Sequence, residues 1–177
     1  MAKSSKKKIY EDEKKVVLEL KKDSNGSIGD LAKKCGFSRQ KVWRIVKRLE
    51  ENKTIWGYGA IADSEKLKMK GYILLARLSH MPIENSLEKD VVRGALDDLS
   101  EDIGVILEDV SWLHGNYDFA VTFMAEDVQH AKKFQEFFNN RFAENVTKLQ
   151  LLEKIVIIKS GGFENPRIQK QKKLYKL

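Results

Sequence analysis

Residues Ser27 to Leu49, SIGDLAKKCGFSRQKVWRIVKRL, constrain the fold more than any other stretch of the chain. They read as two short helices joined by a tight turn. Ser27 is placed to cap the first, with Asp30 three residues on as the acidic partner of a capping box. Leu31 falls on the inner face, and Ala32 is small enough for a second helix to approach closely. Cys35-Gly36-Phe37 interrupts the pattern: glycine tolerates the positive φ of a tight turn, and Phe37 is a hydrophobic plug. Ser38 then caps a second helix whose Val42, Ile45, Val46 and Leu49 recur at i, i+3, i+4 and i+7. Its other face carries Arg39, Gln40, Lys41, Arg44, Lys47 and Arg48. A helix with one apolar stripe and a cationic, amide-bearing outer face suits the major groove of DNA.

Charge is distributed to match. The 177 residues carry a formal net charge of +7, but residues 1–60 hold +8, residues 61–163 hold −5 and residues 164–177 hold +4. A central segment of net negative charge is a poor match for a phosphate backbone and a better one for sensing or assembly. Hydrophobic residues make up 42% and charged residues 33%, a globular composition. The single cysteine, Cys35, excludes an intramolecular disulfide framework and a Cys-based zinc finger. It reads as a small apolar filler at a helix end, with a redox-sensing thiol as the alternative. No apolar run reaches the ~18 residues of a membrane span, and the Lys-rich start lacks the core of a signal peptide. A cytoplasmic protein is expected.

Taken in order, residues 1–9 form a basic N-terminal arm, either solvated or in contact with phosphate. A helix is predicted from Tyr10 to Lys22, with Val16, Val17 and Leu20 inward and Glu11, Asp12 and Glu13 at the positive end of its dipole. The helix-turn-helix domain spans 10–53. Residues 54–70 are a wing or linker strand and hinge, in which Thr54–Ile61 suits a short β-ribbon. From 71 to 163 the rhythm becomes strand (Tyr72–Met81), helix (Glu84–Asp102) and strand (Val105–Leu113). The turn Gly115-Asn116-Tyr117-Asp118 and a strand (Phe119–Ala125) follow. Asp127 caps a helix with Val128, Ala131, Phe134, Phe138 and Phe142 inward, and a last strand runs from Thr147 to Ser160. The order βαββαβ is a ferredoxin-like split unit, so the fold class is α+β, with one sheet face left for a second subunit to cover. Residues 164–177 form a basic C-terminal tail.

A helix-turn-helix joined to a βαββαβ domain resembles the Lrp/AsnC family of transcriptional regulators over roughly residues 10–163. Glu13, Val16-Val17 and Leu20 match the opening of the family pattern. Ser27, Asp30, Leu31 and Ala32 match its Ser-x-x-acid-Leu-Ala, and Gly36, Phe37 and Ser38 its turn. Arg48-Leu49-Glu50 closes the recognition helix, and Ile55, Gly57, Tyr58 and Ala60 match the linking strand. Gly115, Tyr117 and Asp118 match the Gly-x-Tyr-Asp turn of the second domain. Ile45 stands where members often carry Arg, and Lys53 where Gly is usual, which leaves Asn52 as the expected left-handed residue. Near the effector pocket, where Thr or Ser is common, the sequence offers Gln150, Leu151 or Leu152.

The resemblance implies a DNA-binding regulator, not an enzyme. Arg39, Gln40 and Arg44 would meet base edges, and Lys41, Lys47 and Arg48 would hold phosphates beside the capping Ser38. Trp43 either packs against the first helix or the wing, or touches a thymine methyl or a sugar. Gly115, Asn116, Tyr117 and Asp118 would bind an amino-acid effector at a contact between dimers, with assembly alone and a plain hairpin turn as alternatives. The expected partners are double-stranded DNA and further copies of the chain, as a homodimer or higher even-numbered oligomer; no membrane, metal or cofactor is expected. The histidines, His80, His114 and His130, lack metal-ligand spacing. An enzymatic alternative exists because sirohaem decarboxylases of haem biosynthesis resemble the same architecture, with His114 as a haem-pocket residue.

Overall fold

The structure, a computed structural model, describes residues 2–79, 95–169 and 173. Contacts divide them into two units, residues 2–61 with 158–169 and 173, and residues 62–157. No helix among the described residues is long and apolar enough to cross a membrane.

The first unit packs three helices: α1 (Ala2–Leu20), α2 (Ile28–Cys35) and α3 (Arg39–Glu51). Val16, Leu31, Ala32, Cys35, Val42, Ile45, Val46 and Leu49 form its buried core, so the apolar stripe of α3 faces inward as its period requires. The caps are local and form where the sequence places them. Ser27 Oγ accepts from Asp30 N–H at 3.1 Å and donates to Asp30 Oδ2 at 2.6 Å. Ser38 Oγ accepts from Lys41 N–H at 3.2 Å. Gly36 ends α2 at φ 65°, the left-handed conformation its lack of Cβ permits. Cys35 is buried, and desolvation pushes its thiol up, which favours the filler reading over a reactive thiolate.

Four expectations are corrected in this unit. Helix α1 begins at Ala2 rather than Tyr10, so residues 2–9 are helical instead of an irregular arm. Glu11, Asp12 and Glu13 therefore lie mid-helix, away from the positive end of the dipole. After α3, Asn52 has φ −86°, and Lys53 is the left-handed residue at φ 60°. Lys53 N–H donates to Glu50 O, and Ile55 N–H closes on Leu49 O at 2.9 Å. Finally, 54–61 make no strand pairing. The ribbon in this unit is instead β5 (Lys159–Ser160) with β6 (Phe163–Glu164), turned by Gly161 and Gly162 at positive φ. Ile61 packs so close to Gly161 that a Cβ there would lie 2.6 Å from Ile61 Cδ1.

The second unit is a sheet of β1 (Lys70–Leu78), β2 (Val105–Trp112), β3 (Phe119–Ala125) and β4 (Val146–Glu153) in the order β2-β3-β1-β4. Helices α4 (Ala95–Ile103) and α5 (Val128–Arg141) complete it. The alternation of β3 buries Phe119, Val121, Phe123 and Ala125 on one face. Against them lie Phe134, Phe138 and Phe142, with Phe123 and Phe134 rings 4.8 Å apart. Asp127 caps α5 by accepting from the N–H groups of Gln129 and His130. Val128, expected inward, is exposed at the first residue of α5. The last strand ends at Glu153 rather than Ser160. His80, Met81 and the start of the predicted helix at Glu84 lie outside the described residues, as does most of the basic tail after residue 169; in the described part of α4, Leu96 and Ser100 are buried.

Candidate nucleic-acid interface

The cap by Ser38 sets where α3 starts, and the buried stripe turns the opposite face of the helix outward. That face is where Arg39, Gln40, Trp43 and Arg44 come together with Ile28 of α2, around an open concavity of about 590 Å³. Positions 39, 40, 43 and 44 are spaced by three and four residues, so they share one side of the helix. Gly29 permits this grouping: a Cβ there would lie 3.0 Å from both Nε and Nη2 of Arg39, so the guanidinium rests where a side chain would be. Arg44 Nε donates to Gln40 O at 3.3 Å within the helix. Arg guanidinium and Gln amide groups at the first turns of such a helix are the donors and acceptors that base edges require.

Trp43, for which packing or DNA contact was expected, lies outside the buried core of this unit. It is 53% exposed, and Lys47 Nζ lies 5.2 Å from its ring centroid. Lys47 is also 3.8 Å from Glu51 across one exposed turn, a weak tie. Ile45, at the position where an Arg was the family expectation, is 5% exposed and belongs to the core.

Lys41 and Arg48, expected to hold phosphates, each form an ion pair with a carboxylate of α1. Lys41 Nζ lies 2.6 Å from Asp12 Oδ2 and 3.8 Å from the centroid of the Phe37 ring. Arg48 Nη2 lies 2.7 Å from Glu13 Oε1. Both cations are turned to α1, so the acids there serve helix packing rather than the helix dipole. Sequence spacing on α3 alone could not reveal this, since the partners lie on another helix.

In the second unit, the Gly115–Asp118 turn folds onto the end of β1. Asp118 N–H donates to Ala76 O at 3.0 Å, and Asp118 Oδ2 accepts from Leu78 N–H at 2.9 Å. One carboxylate oxygen is thus committed to the backbone, a structural duty absent from the sequence reading. The Tyr117 hydroxyl donates to Gln150 Oε1 on β4, and Lys148 Nζ lies 5.5 Å from the Tyr117 ring centroid. Arg77 stands opposite Lys148 in the strand register. Two cations therefore stand close together in the register, with Tyr117 and Gln150 beside Lys148. Lys148 and Arg77 were missed by sequence reasoning; the period of two running through Lys148, Gln150 and Leu152 was the available signal. Gly115, Asn116 and His114 are exposed. No group of three or more metal-ligating side chains occurs among the described residues.

Residues 13–55 match a family model described as winged helix-turn-helix DNA-binding, which defines the class of the N-terminal unit. Solved structures extend the likeness to most of the chain. An AsnC family transcriptional regulator from Agrobacterium tumefaciens is 21% identical, with a TM-score of 0.58 over 88% of this chain and 95% of that one. The leucine response regulatory protein LrpA of Mycobacterium tuberculosis is 16% identical, with a TM-score of 0.65 over 88% and 98%. A transcriptional regulator from Neisseria meningitidis, solved with L-Met, is 14% identical, with a TM-score of 0.63 over 90% and 97%. The chain therefore has the fold of the Lrp/AsnC regulators. No curated protein sequence matches it. The sirohaem decarboxylase alternative gains no support from these likenesses.

Proposed function

We propose that this chain is a cytoplasmic, sequence-specific DNA-binding transcriptional regulator that assembles through its sheet domain and responds to a small ligand such as an amino acid. The observation that carries the proposal is the outer face of α3, where Arg39, Gln40, Trp43 and Arg44 line one concavity while the apolar stripe is buried beneath them. In this reading Arg39, Gln40 and Arg44 meet base edges, Lys47 meets phosphate, and Lys41 and Arg48 hold α3 against α1. Retention of a specific duplex over a random one at about 150 mM salt tests it, because nonspecific phosphate binding collapses there. Equal retention of both would defeat sequence specificity.

Assembly is supported by the open face of the sheet. Ile106, Ile73, Leu75, Met124 and Leu152 are only part-buried or exposed on it, an apolar surface suited to a second copy. Two recognition helices related by a two-fold would address pseudo-palindromic half-sites. The effector reading rests on the turn: Arg77 and Lys148 suit a carboxylate, and the L-Met complex of the Neisseria regulator supports that ligand class. Regulation then follows if the ligand binds one assembled state better than another. Calorimetry against the twenty amino acids, with oligomer size measured in parallel, tests this part. No heat and no change in size would leave a regulator without such an effector. A Soret band on adding sirohaem would instead favour the enzyme.

A further inference from the structure

We infer that Trp43 reads the 5-methyl group of a pyrimidine in the major groove, making the protein a discriminator of thymine from the same base without its methyl. The inference rests on the DNA-binding reading and adds a specificity-determining residue to it. Trp43 has no place in the core: the buried cluster beneath α3 is closed by Val42, Ile45, Val46 and Leu49, and the indole is 53% exposed. It stands on the groove-facing side with Arg39, Gln40 and Arg44, in one concavity with Ile28. A large apolar ring among cations needs an apolar partner, and the only apolar group that a base pair presents in the major groove is the thymine methyl. Charge selects the same occupant, since Arg39, Arg44 and Lys47 surround the indole with positive charge that suits a nucleic acid. Lys47 Nζ sits 5.2 Å from the ring centroid, which restrains the ring and sets an ammonium beside it.

The contact predicts a specific chemical sensitivity. Deoxyuridine differs from thymidine only by that methyl, and 5-methylcytosine carries the same group on the other pyrimidine. Duplexes enriched by the full-length protein from a random library would be resynthesised with each thymine in turn replaced by deoxyuridine. One position per half-site should then lose about fourfold in affinity, the value for removing one methyl from an apolar contact. Trp43→Ala should bind thymine and deoxyuridine duplexes alike, and Trp43→Phe should keep part of the difference. Because the side chain is exposed, both variants should unfold at the wild-type urea midpoint. Enriched duplexes indifferent to every deoxyuridine, or discrimination that persists in Trp43→Ala, would overturn the assignment and leave the regulator reading standing. A library that yields no enriched duplex would overturn both.

Discussion

Replacing Lys41 with alanine should weaken the N-terminal unit without loosening its grip on DNA phosphates. Lys41 Nζ is 2.6 Å from Asp12 Oδ2, with the two side chains 36% and 21% exposed. Such a partly screened pair contributes about 0.5–1 kcal/mol. The same ammonium lies 3.8 Å from the Phe37 ring centroid, a geometry that adds about 0.5–1 kcal/mol. Alanine recovers a few tenths of a kcal/mol through helix propensity, so the net loss should be roughly 1 kcal/mol. A double-mutant cycle with Asp12→Ala should assign about half of it to the ion pair. Urea unfolding read by Trp43 and Trp56 fluorescence, in a Trp112→Phe background, isolates this unit from the sheet domain. The salt dependence of DNA binding gives the second readout. Each phosphate contact contributes about 0.9 to the slope of log affinity against log salt, so Lys47→Ala should lower it by that much and Lys41→Ala should not. Lys41→Ala with wild-type stability and a slope reduced by about 0.9 would refute the reasoning.

Three further outcomes follow from other sites. Lys53→Gly should stabilise the protein by about 0.5–1 kcal/mol, since a lysine at φ 60° carries a left-handed cost that glycine avoids, whereas Asn52→Gly should not; urea midpoints separate them. Asp118→Ala should cost about 1–3 kcal/mol by leaving the part-buried Leu78 N–H unpaired, and Asp118→Asn should recover most of it. Loss of an effector response in Asp118→Ala therefore has to be read beside its unfolding curve. The backbone N–H of His130, then its side chain, holds the Asp127 carboxyl below the ordinary carboxylate value. Its contribution to stability is complete above that ordinary value, near pH 4, and is lost as pH falls through the lower folded value. Asp127→Asn, which caps without titrating, should flatten the acid limb of the midpoint-against-pH curve.

The caps and stripes were legible because they are relations between neighbours in the chain. Ser27 and Ser38 bond to N–H groups three residues on, and Val42, Ile45, Val46 and Leu49 share a face by helical period. The alternation of Phe119 to Ala125 and the Asp127 cap are local in the same way, and the order of the elements followed from them. The outward grouping of Arg39, Gln40, Trp43 and Arg44 came from that period as well.

What the tertiary structure alone decided was the use of each charge. Asp12 and Glu13 were expected at the positive end of their own helix, whereas they pair with Lys41 and Arg48 across the crossing of α1 and α3. The left-handed residue moved from Asn52 to Lys53 because Ile55 had to close on Leu49. The ribbon formed at 159–164 because the chain returns to the first unit after β4, a long-range event with no periodic trace. Asp118 became an anchor for β1 only once the sheet brought Leu78 beside it. Period and capping depend on a few adjacent residues, and they determined which face of α3 is free. Ion pairing and strand closure depend on which distant groups meet in space, and they decided which of its cations pair with α1.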